Sequence, residues 1–472
     1  MEVTTPPAVS LSTLALRLRT LVLFRGAFSG PAGEQFWSLV DLMAQPTSGA
    51  LPELLERFSL FQNALLGENA GAVGDAWQEH LLQRVLWDEN IFSLTAEATD
   101  PAELPVSLLA QAAAELRTLR QAYGLSLHRL RALLIQRAGP LALELEDGWV
   151  LPTTDGPYVS AQATLAWRLA TTAEWGELAP DLAAHFAANG CGDFARYTAF
   201  RWVTHPSAEG GLEPVPSPDA IRLQSLVAYE SERELVLSNT VRFVLGAPGN
   251  NVLLYGDAGT GKSSLVKALV NEYAGQGLRI IEVSKEGLTD FPYIAKTVRG
   301  RRQRFILFVD DLSFEENETE YKALKALLEG GVQARPENLL IYATSNRRHL
   351  VREQFSDRSR PGDDEVHPHD TAQEKVSLAE RFGIRVAFLS PEQPRYLAIV
   401  RAIASQEGID LPDDELRRRA LVWAQWQNGF SGRTARQFVN DLLGEQRERS
   451  AGLEGLCVGS EKSPPGYSRS PS

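Results

Sequence analysis

Three clusters in the second half of the chain have the residue types and spacing to handle a polyphosphate. The first is Gly256, Asp257, Ala258, Gly259, Thr260, Gly261, Lys262 and Ser263, followed by Ser264. Glycines at 256, 259 and 261 let the backbone turn tightly and aim its N–H groups at anionic oxygens. Lys262 is a cation for the β- and γ-phosphates of ATP, and the Ser263 hydroxyl is a ligand for Mg2+. The second cluster is Asp310 and Asp311, which close the apolar run Phe305–Val309. Asp310 is placed to hold Mg2+ through its water shell, and Asp311 to orient or deprotonate an attacking water. Glu315 and Glu316 lie just beyond it as substitutes. The third is Ser345 or Asn346 at the end of another apolar run, where a side-chain amide can donate to one group and accept from another.

Such residues work only if strands and helices bring them together. The glycine-rich loop follows the strand-like run Val252–Tyr255 and precedes the amphipathic run Ser264–Tyr273. That strand–loop–helix context distinguishes a P-loop from a chance match to G-x-x-x-x-G-K-[ST]. Further apolar runs at Arg279–Val283, Phe305–Val309, Leu339–Ala343 and Ile384–Leu389 alternate with helical patterns. This is the signature of a parallel sheet covered on both faces. The spacing predicts a three-layer α/β P-loop NTPase domain over residues 219–390, with a small helical lid over 391–446. Residues 1–205 read as a mostly helical domain, suited to recruiting a partner or substrate. Leu11, Leu14, Leu18, Leu21 and Val22, and then Leu51, Leu54, Leu55, Phe58, Phe61, Leu65 and Leu66, recur at helical spacing. Pro105–Arg137 reads as helix, Leu143–Pro157 as a short hairpin and Leu165–Arg201 as helix again. Residues 206–218, rich in proline and glycine, read as a linker, and 447–472 as a disordered tail.

In this order and spacing the clusters resemble the AAA+ superfamily. The resemblance implies that Asn346 is its sensor-1 residue. It also implies that Arg381, in Ser377, Leu378, Ala379, Glu380, Arg381, Phe382, Gly383, is an arginine finger reaching a neighbouring subunit's γ-phosphate. In the run from Gly429 to Phe438, either Arg433 or Arg436 takes the sensor-2 place, with Ser431 or Gly432 as helix cap. Many ATPases of this class carry Glu where Asp311 stands, so the side chain here is one methylene shorter. The strings Leu253–Ser264, Phe308–Glu315, Leu324–Gly330 and Ala343–Leu350 also resemble a bacterial family of predicted AAA+ ATPases built on a domain of unknown function. That resemblance covers about residues 214–445. It implies an ATP- and Mg2+-dependent hydrolase that forms a homo-oligomer, a ring or partial ring, and remodels a protein or nucleic-acid substrate. The alternatives are a nucleotide-gated scaffold with little turnover and a clamp-loader-like, DNA-associated ATPase.

The 472 residues exceed one hydrophobic core. At 44% apolar and 23% charged, the balance is that of a soluble globular chain. A net charge of −13 argues against duplex DNA binding driven by overall charge. Two cysteines, Cys191 and Cys457, rule out a disulfide framework or a cysteine zinc site and fit a reducing cytoplasm. No signal peptide is expected, since Met1–Ser10 has no basic region leading into an apolar stretch, and no membrane span, since apolar runs of about 18 residues are missing. The basic run Arg299–Arg304 reads as a solvated loop, with nucleic acid or a partner as the sharper reading. Arg347, Arg348 and His349 are candidates for a subunit or substrate contact. His367 and His369 lack the further ligands a metal needs. Asn239, with Val227–Tyr229, is a candidate for the adenine pocket. Phe291 and Tyr293 stand where translocating machines place an aromatic loop, although Pro292 departs from that pattern. The tryptophans Trp37, Trp77, Trp87, Trp149, Trp167 and Trp175 read as core.

Overall fold

The computed structural model describes residues 10–45, 51–66, 74–139, 161–205, 208–313, 319–329, 335–346, 378–427 and 429–450. The chain forms two compact units: Met1–Thr198 with Val298–Arg304, and Ala199–Thr297 with Phe305–Ser472. The expected hairpin at Leu143–Pro157, Glu315 and Glu316, the Arg347–His349 run, His367, His369 and the tail beyond Ser450 lie outside the described residues.

The first unit is helical: α1 (Leu11–Arg19), α2 (Pro31–Met43), α3 (Leu51–Leu66), α4 (Ala76–Trp87), α5 (Ile91–Ala98), α6 (Val106–Tyr123), α7 (Leu127–Ala138), α8 (Ala161–Thr171), α9 (Ala179–Asn189) and the short α10 (Gly192–Arg196). The continuous helix expected over Pro105–Arg137 is broken between α6 and α7. Gly124 closes the first helix, and the Ser126 hydroxyl caps the second by accepting from the Arg129 N–H at 3.2 Å. The core is aromatic at its centre. Trp77 stacks on Phe36 with centroids 3.9 Å apart, and its indole N–H donates to the Ala122 carbonyl at 3.2 Å. Trp175 is likewise buried, but Trp167 is 62% exposed and does not belong to the core. Trp37 and Trp87 are half-buried.

The loop Val298–Arg304 packs with this helical unit; Arg299 and Arg302 are exposed, as a solvated basic run would be, but Arg301 is not. The Arg301 side chain is 8% exposed, and its guanidinium pairs with Glu97 at 3.1 Å and Glu89 at 3.0 Å. It also donates to the Cys191 carbonyl at 2.7 Å and stacks over Phe194. Glu97 further accepts the Arg302 N–H at 2.8 Å and the Cys191 N–H at 3.0 Å, so its buried charge is fully answered. Burial, with Glu97 beside it, pushes the Cys191 thiol up to about 12, so this cysteine is a core residue and not a nucleophile.

The second unit is built on a seven-stranded sheet of order β2-β1-β4-β5-β6-β3-β7. The strands are β1 (Ala199–His205), β2 (Ala208–Pro214), β3 (Val252–Gly256), β4 (Leu278–Glu282), β5 (Arg304–Val309), β6 (Leu339–Ser345) and β7 (Ile384–Phe388). The five apolar runs read from the sequence are β3 to β7. Their central strands are buried because helices cover both faces. The stretch read as linker is instead largely β2, antiparallel to β1, and β1 runs parallel to β4. The helical expectation for Leu165–Arg201 therefore ends before Ala199. Helices α11 (Glu230–Val244), α12 (Lys262–Tyr273), α13 (Phe291–Val298) and α14 (Thr319–Glu329) alternate with the strands. The lid is α15 (Gln393–Gln406), α16 (Asp413–Trp426) and α17 (Gly432–Ser450), the last running past the expected boundary at 446. This is the mostly parallel, three-layer P-loop architecture the sequence predicts. The β3 strand lies between β6 and β7, both later in the chain, so a crevice opens at its carboxyl end.

Candidate nucleotide site

The loop leaving β3 is shaped by its glycines. Gly256 has φ +127°, and a Cβ there would lie 2.2 Å from the Phe388 carbonyl oxygen of β7. Gly261, at φ +94°, turns the chain into α12, whose first residue is Lys262. The helix N-terminus therefore faces the crevice with unpaired N–H groups and a positive dipole end. Asp257 points away from it. Its carboxylate accepts the Ser390 N–H at 2.6 Å, and that bond holds it below the usual carboxylate range.

Lys262 is buried, and its amine donates to the carbonyls of Gly256 at 2.9 Å and Asp257 at 2.7 Å and to Asn346 Oδ1 at 3.0 Å. Burial lowers its pKa, while Asp257, Asp310 and Asp311 oppose the shift. The amide of Asn346 donates in turn to Asp311 Oδ1 at 2.7 Å. The Ser263 hydroxyl donates to Asp310 Oδ1 at 2.6 Å. A hydroxyl and a carboxylate in contact, at the edge of a cavity, are hard oxygen donors suited to Mg2+. On that chemistry the residues fit the metal that the P-loop implies. Among the described residues no group of three His, Cys, Asp or Glu side chains forms a separate metal cluster.

Sequence reasoning left Ser345 and Asn346 as alternatives; Ser345 is wholly buried and Asn346 faces the crevice. It missed Thr344. This buried hydroxyl accepts the Asp311 N–H at 2.9 Å and donates to Asp310 Oδ1 at 2.5 Å. The signal was present, because side chains alternate along a strand and Thr344 shares the face of Asn346.

These groups line one end of a cavity of about 650 Å³, which also takes in Ala258, Gly259, Thr260, Gly261 and Ser264. Its other end is apolar, formed by Ile221, Leu226, Val227, Tyr229, Ile399 and Ile403. Tyr229 holds this wall in place. It adopts φ +61° ahead of α11, its hydroxyl donates to the Leu389 carbonyl and its ring lies 5.1 Å from Phe388. Asn239 is not part of it. That amide is buried, donating to the Asn250 carbonyl and the Tyr342 hydroxyl, each at 3.0 Å, so of the adenine candidates Val227 and Tyr229 line the cavity and Asn239 does not.

The lid closes the cavity with Gly432, Arg433, Arg436 and Gln437. Ser431, not Gly432, caps α17, accepting the Thr434 N–H at 3.0 Å. The Arg433 N–H donates to the Gly259 carbonyl at 3.1 Å, tying the lid to the P-loop. Arg436 pairs with Glu407 at 2.7 Å. Arg381 is half-buried and does not line this cavity. Phe291 and Tyr293 lie on α13, not in an extended loop. Among the described residues no helix is long and apolar enough to cross a membrane.

A family model described as "Protein of unknown function (DUF815)" matches residues 195–446. No curated protein matches the chain. Among solved structures, the Thermotoga maritima RuvB Holliday junction branch migration motor is 16% identical, with a TM-score of 0.30, over 48% of this chain and 71% of that one. The FIGL-1 AAA domain in complex with ADP is 18% identical, with a TM-score of 0.34, over 51% of this chain and 78% of that one.

Proposed function

The chain belongs to the DUF815 family and carries an AAA+ P-loop fold, and from that premise we propose that it binds Mg-ATP and hydrolyses it to switch or remodel a partner. One observation carries the proposal: Lys262, Ser263, Asp310, Asp311 and Asn346 converge at the polar end of a single cavity whose other end is apolar. An adenine ring suits the apolar end, and a triphosphate suits the loop and helix N-terminus. Ser263 and Asp310 would hold Mg2+, which would supply charge neutralisation to the bound triphosphate.

The rest of the chemistry falls to the chain's own groups. Lys262 exchanges backbone carbonyl acceptors for phosphate oxygens, a stronger charge-assisted contact. Asp311 orients the water and takes its proton, and Asn346 sets the direction of that carboxylate. Arg433 and Arg436 reach from the lid, and Arg433 is the better placed because Glu407 already engages Arg436. Arg381 belongs to a neighbour's site in a homo-oligomer, in keeping with its place outside its own cavity. The helical unit recruits the partner, and the reading places the protein in the cytoplasm, where Mg-ATP is available.

Lys262→Ala tests the core of this. Direct binding of ATP should fall by at least about 10²-fold with the fold intact, the scale of losing a charge-assisted contact in a closed site; unchanged affinity overturns the proposal. A second reading, a nucleotide-gated scaffold with little turnover, is favoured by the Asn346–Asp311 bond, which engages the carboxylate that would activate water. The DNA-associated alternative loses part of its motive, because the Arg301 guanidinium is buried against Glu97 and Glu89 in the helical unit, while Arg299 and Arg302 stay exposed.

A further inference from the structure

We propose that Thr344 is the positioning residue that sets both acids of the nucleotide site, so that metal capture and water activation depend on one hydroxyl. The inference deepens the reading above and rests on it.

Asp310 and Asp311 are adjacent but must do different things, and their backbone reflects it. Asp311 has φ +53°, one of three non-glycine residues among those described with positive φ. That conformation costs free energy and persists only where neighbours enforce it. The enforcing groups come from β6. The Thr344 hydroxyl accepts the Asp311 N–H at 2.9 Å, and the Thr344 carbonyl accepts the Leu312 N–H at 2.7 Å. With its one proton the same hydroxyl donates to Asp310 Oδ1, the oxygen that Ser263 also reaches. A hydroxyl offers one donor and two acceptor sites, so both bonds are made at once without conflict.

Two consequences follow for catalysis. Asp310 keeps Oδ2 clear of the Thr344 and Ser263 bonds, both of which fall on Oδ1, so the carboxylate is oriented before a metal arrives. Asp311, one methylene shorter than Glu, is lifted toward the cavity by its backbone turn, and that turn is pinned by Thr344. The side-chain bond from Asn346 then fixes the carboxylate's direction. Thr344 touches neither nucleotide nor water in this scheme and acts only through the two acids.

The test compares Thr344→Val and Thr344→Ser in the full chain. Valine keeps the shape and the β-branch of a strand residue and removes the hydroxyl; serine keeps the hydroxyl. Two quantities are read: affinity for a non-hydrolysable ATP analogue with and without Mg2+, and kcat with KM. In Thr344→Val the metal-free affinity should stay within about threefold of wild type. The strengthening by Mg2+ should drop about tenfold or more, and kcat should fall about 10- to 100-fold with little change in KM, the range for misplacing an acid–base group. Thr344→Ser should recover both to within about threefold. Should valine unfold the chain, Thr344→Ala takes its place with the same expectations. A valine variant with wild-type Mg2+ dependence and kcat overturns the proposal, as does a serine variant no better than valine. If wild type binds no nucleotide, the functional reading itself fails and the proposal with it. If wild type binds and turns over while valine matches it, Thr344 alone is wrong.

Discussion

Asp311 and Asp310 divide the labour at the scale of single residues, and substitution should separate them. Asp310→Ala removes the acid that Ser263 contacts, so Mg2+ should no longer strengthen nucleotide binding. Asp311→Asn keeps binding and slows turnover by about 10²-fold or more, the range for losing a positioned acid–base group. Paired binding and turnover assays decide it, and an Asp311→Asn protein that hydrolyses ATP at the parental rate moves the base elsewhere. Most of these side chains were legible in the sequence because the P-loop and the strand-ending aspartates have fixed spacing. Thr344 was overlooked although strand alternation puts it on the face of Asn346, because a hydroxyl's partners, here the Asp311 N–H and Asp310, are known only once the neighbouring strand is in place. Arg301 was hidden for the opposite reason. A run of arginines looks solvated until Glu97, some two hundred positions earlier, is brought beside it.

Among elements, the end of α4 carries a titration of its own. Burial raises the Asp88 carboxyl to about 6, against the bond it accepts from Asn90. A carboxyl whose folded pKa exceeds its unfolded value binds its proton more tightly in the folded state. Its contribution is therefore favourable below about pH 4 and is lost as pH rises through about 6. Asp88→Asn should stabilise the helical unit near pH 7.5 by about 1–3 kcal/mol and do little at pH 4, as read by thermal unfolding at both values. If the gain is equal at both, burial of this charge is not its source. The strands β3 to β7 were legible because buried parallel strands are continuous apolar runs. The β1–β2 pair was missed because β2 is short of apolar residues and carries Gly210 and Gly211. Yet Phe200 and Trp202, alternating with Arg201 in β1, were the available signal of a strand with unlike faces.

For the molecule as a whole, the open matter is assembly. Arg381 stands outside its own cavity, which motivates a role across a subunit boundary. An Arg381→Ala chain mixed with a Lys262→Ala chain, each inactive alone, should regain partial ATPase activity wherever an intact loop meets an intact arginine. Full activity in Arg381→Ala alone, or no recovery in demonstrated mixed oligomers, excludes the role. The boundaries of the units were the least legible feature, since a change of texture near residue 205 marks where composition shifts and not where packing does.

The loop Val298–Arg304 makes the two units inseparable by one cut in the gene. A fragment starting at Ala199 carries Arg301 without its carboxylates, and a fragment ending at Thr198 carries Glu97 without its cation. The first fragment is left with a buried carboxylate lacking its cation, a defect worth about 3–5 kcal/mol when such a pair is broken inside a core, whereas Arg301 in the second is simply returned to water. The first fragment produced alone should therefore be less stable to thermal unfolding than when expressed together with the second. A graft of residues 298–304 onto the end of the first fragment should restore it, whereas the same graft carrying Arg301→Gln should not. Evolution faces the same constraint: this helical unit cannot be swapped for another by simple fusion at its end, because seven of its residues are encoded inside its neighbour.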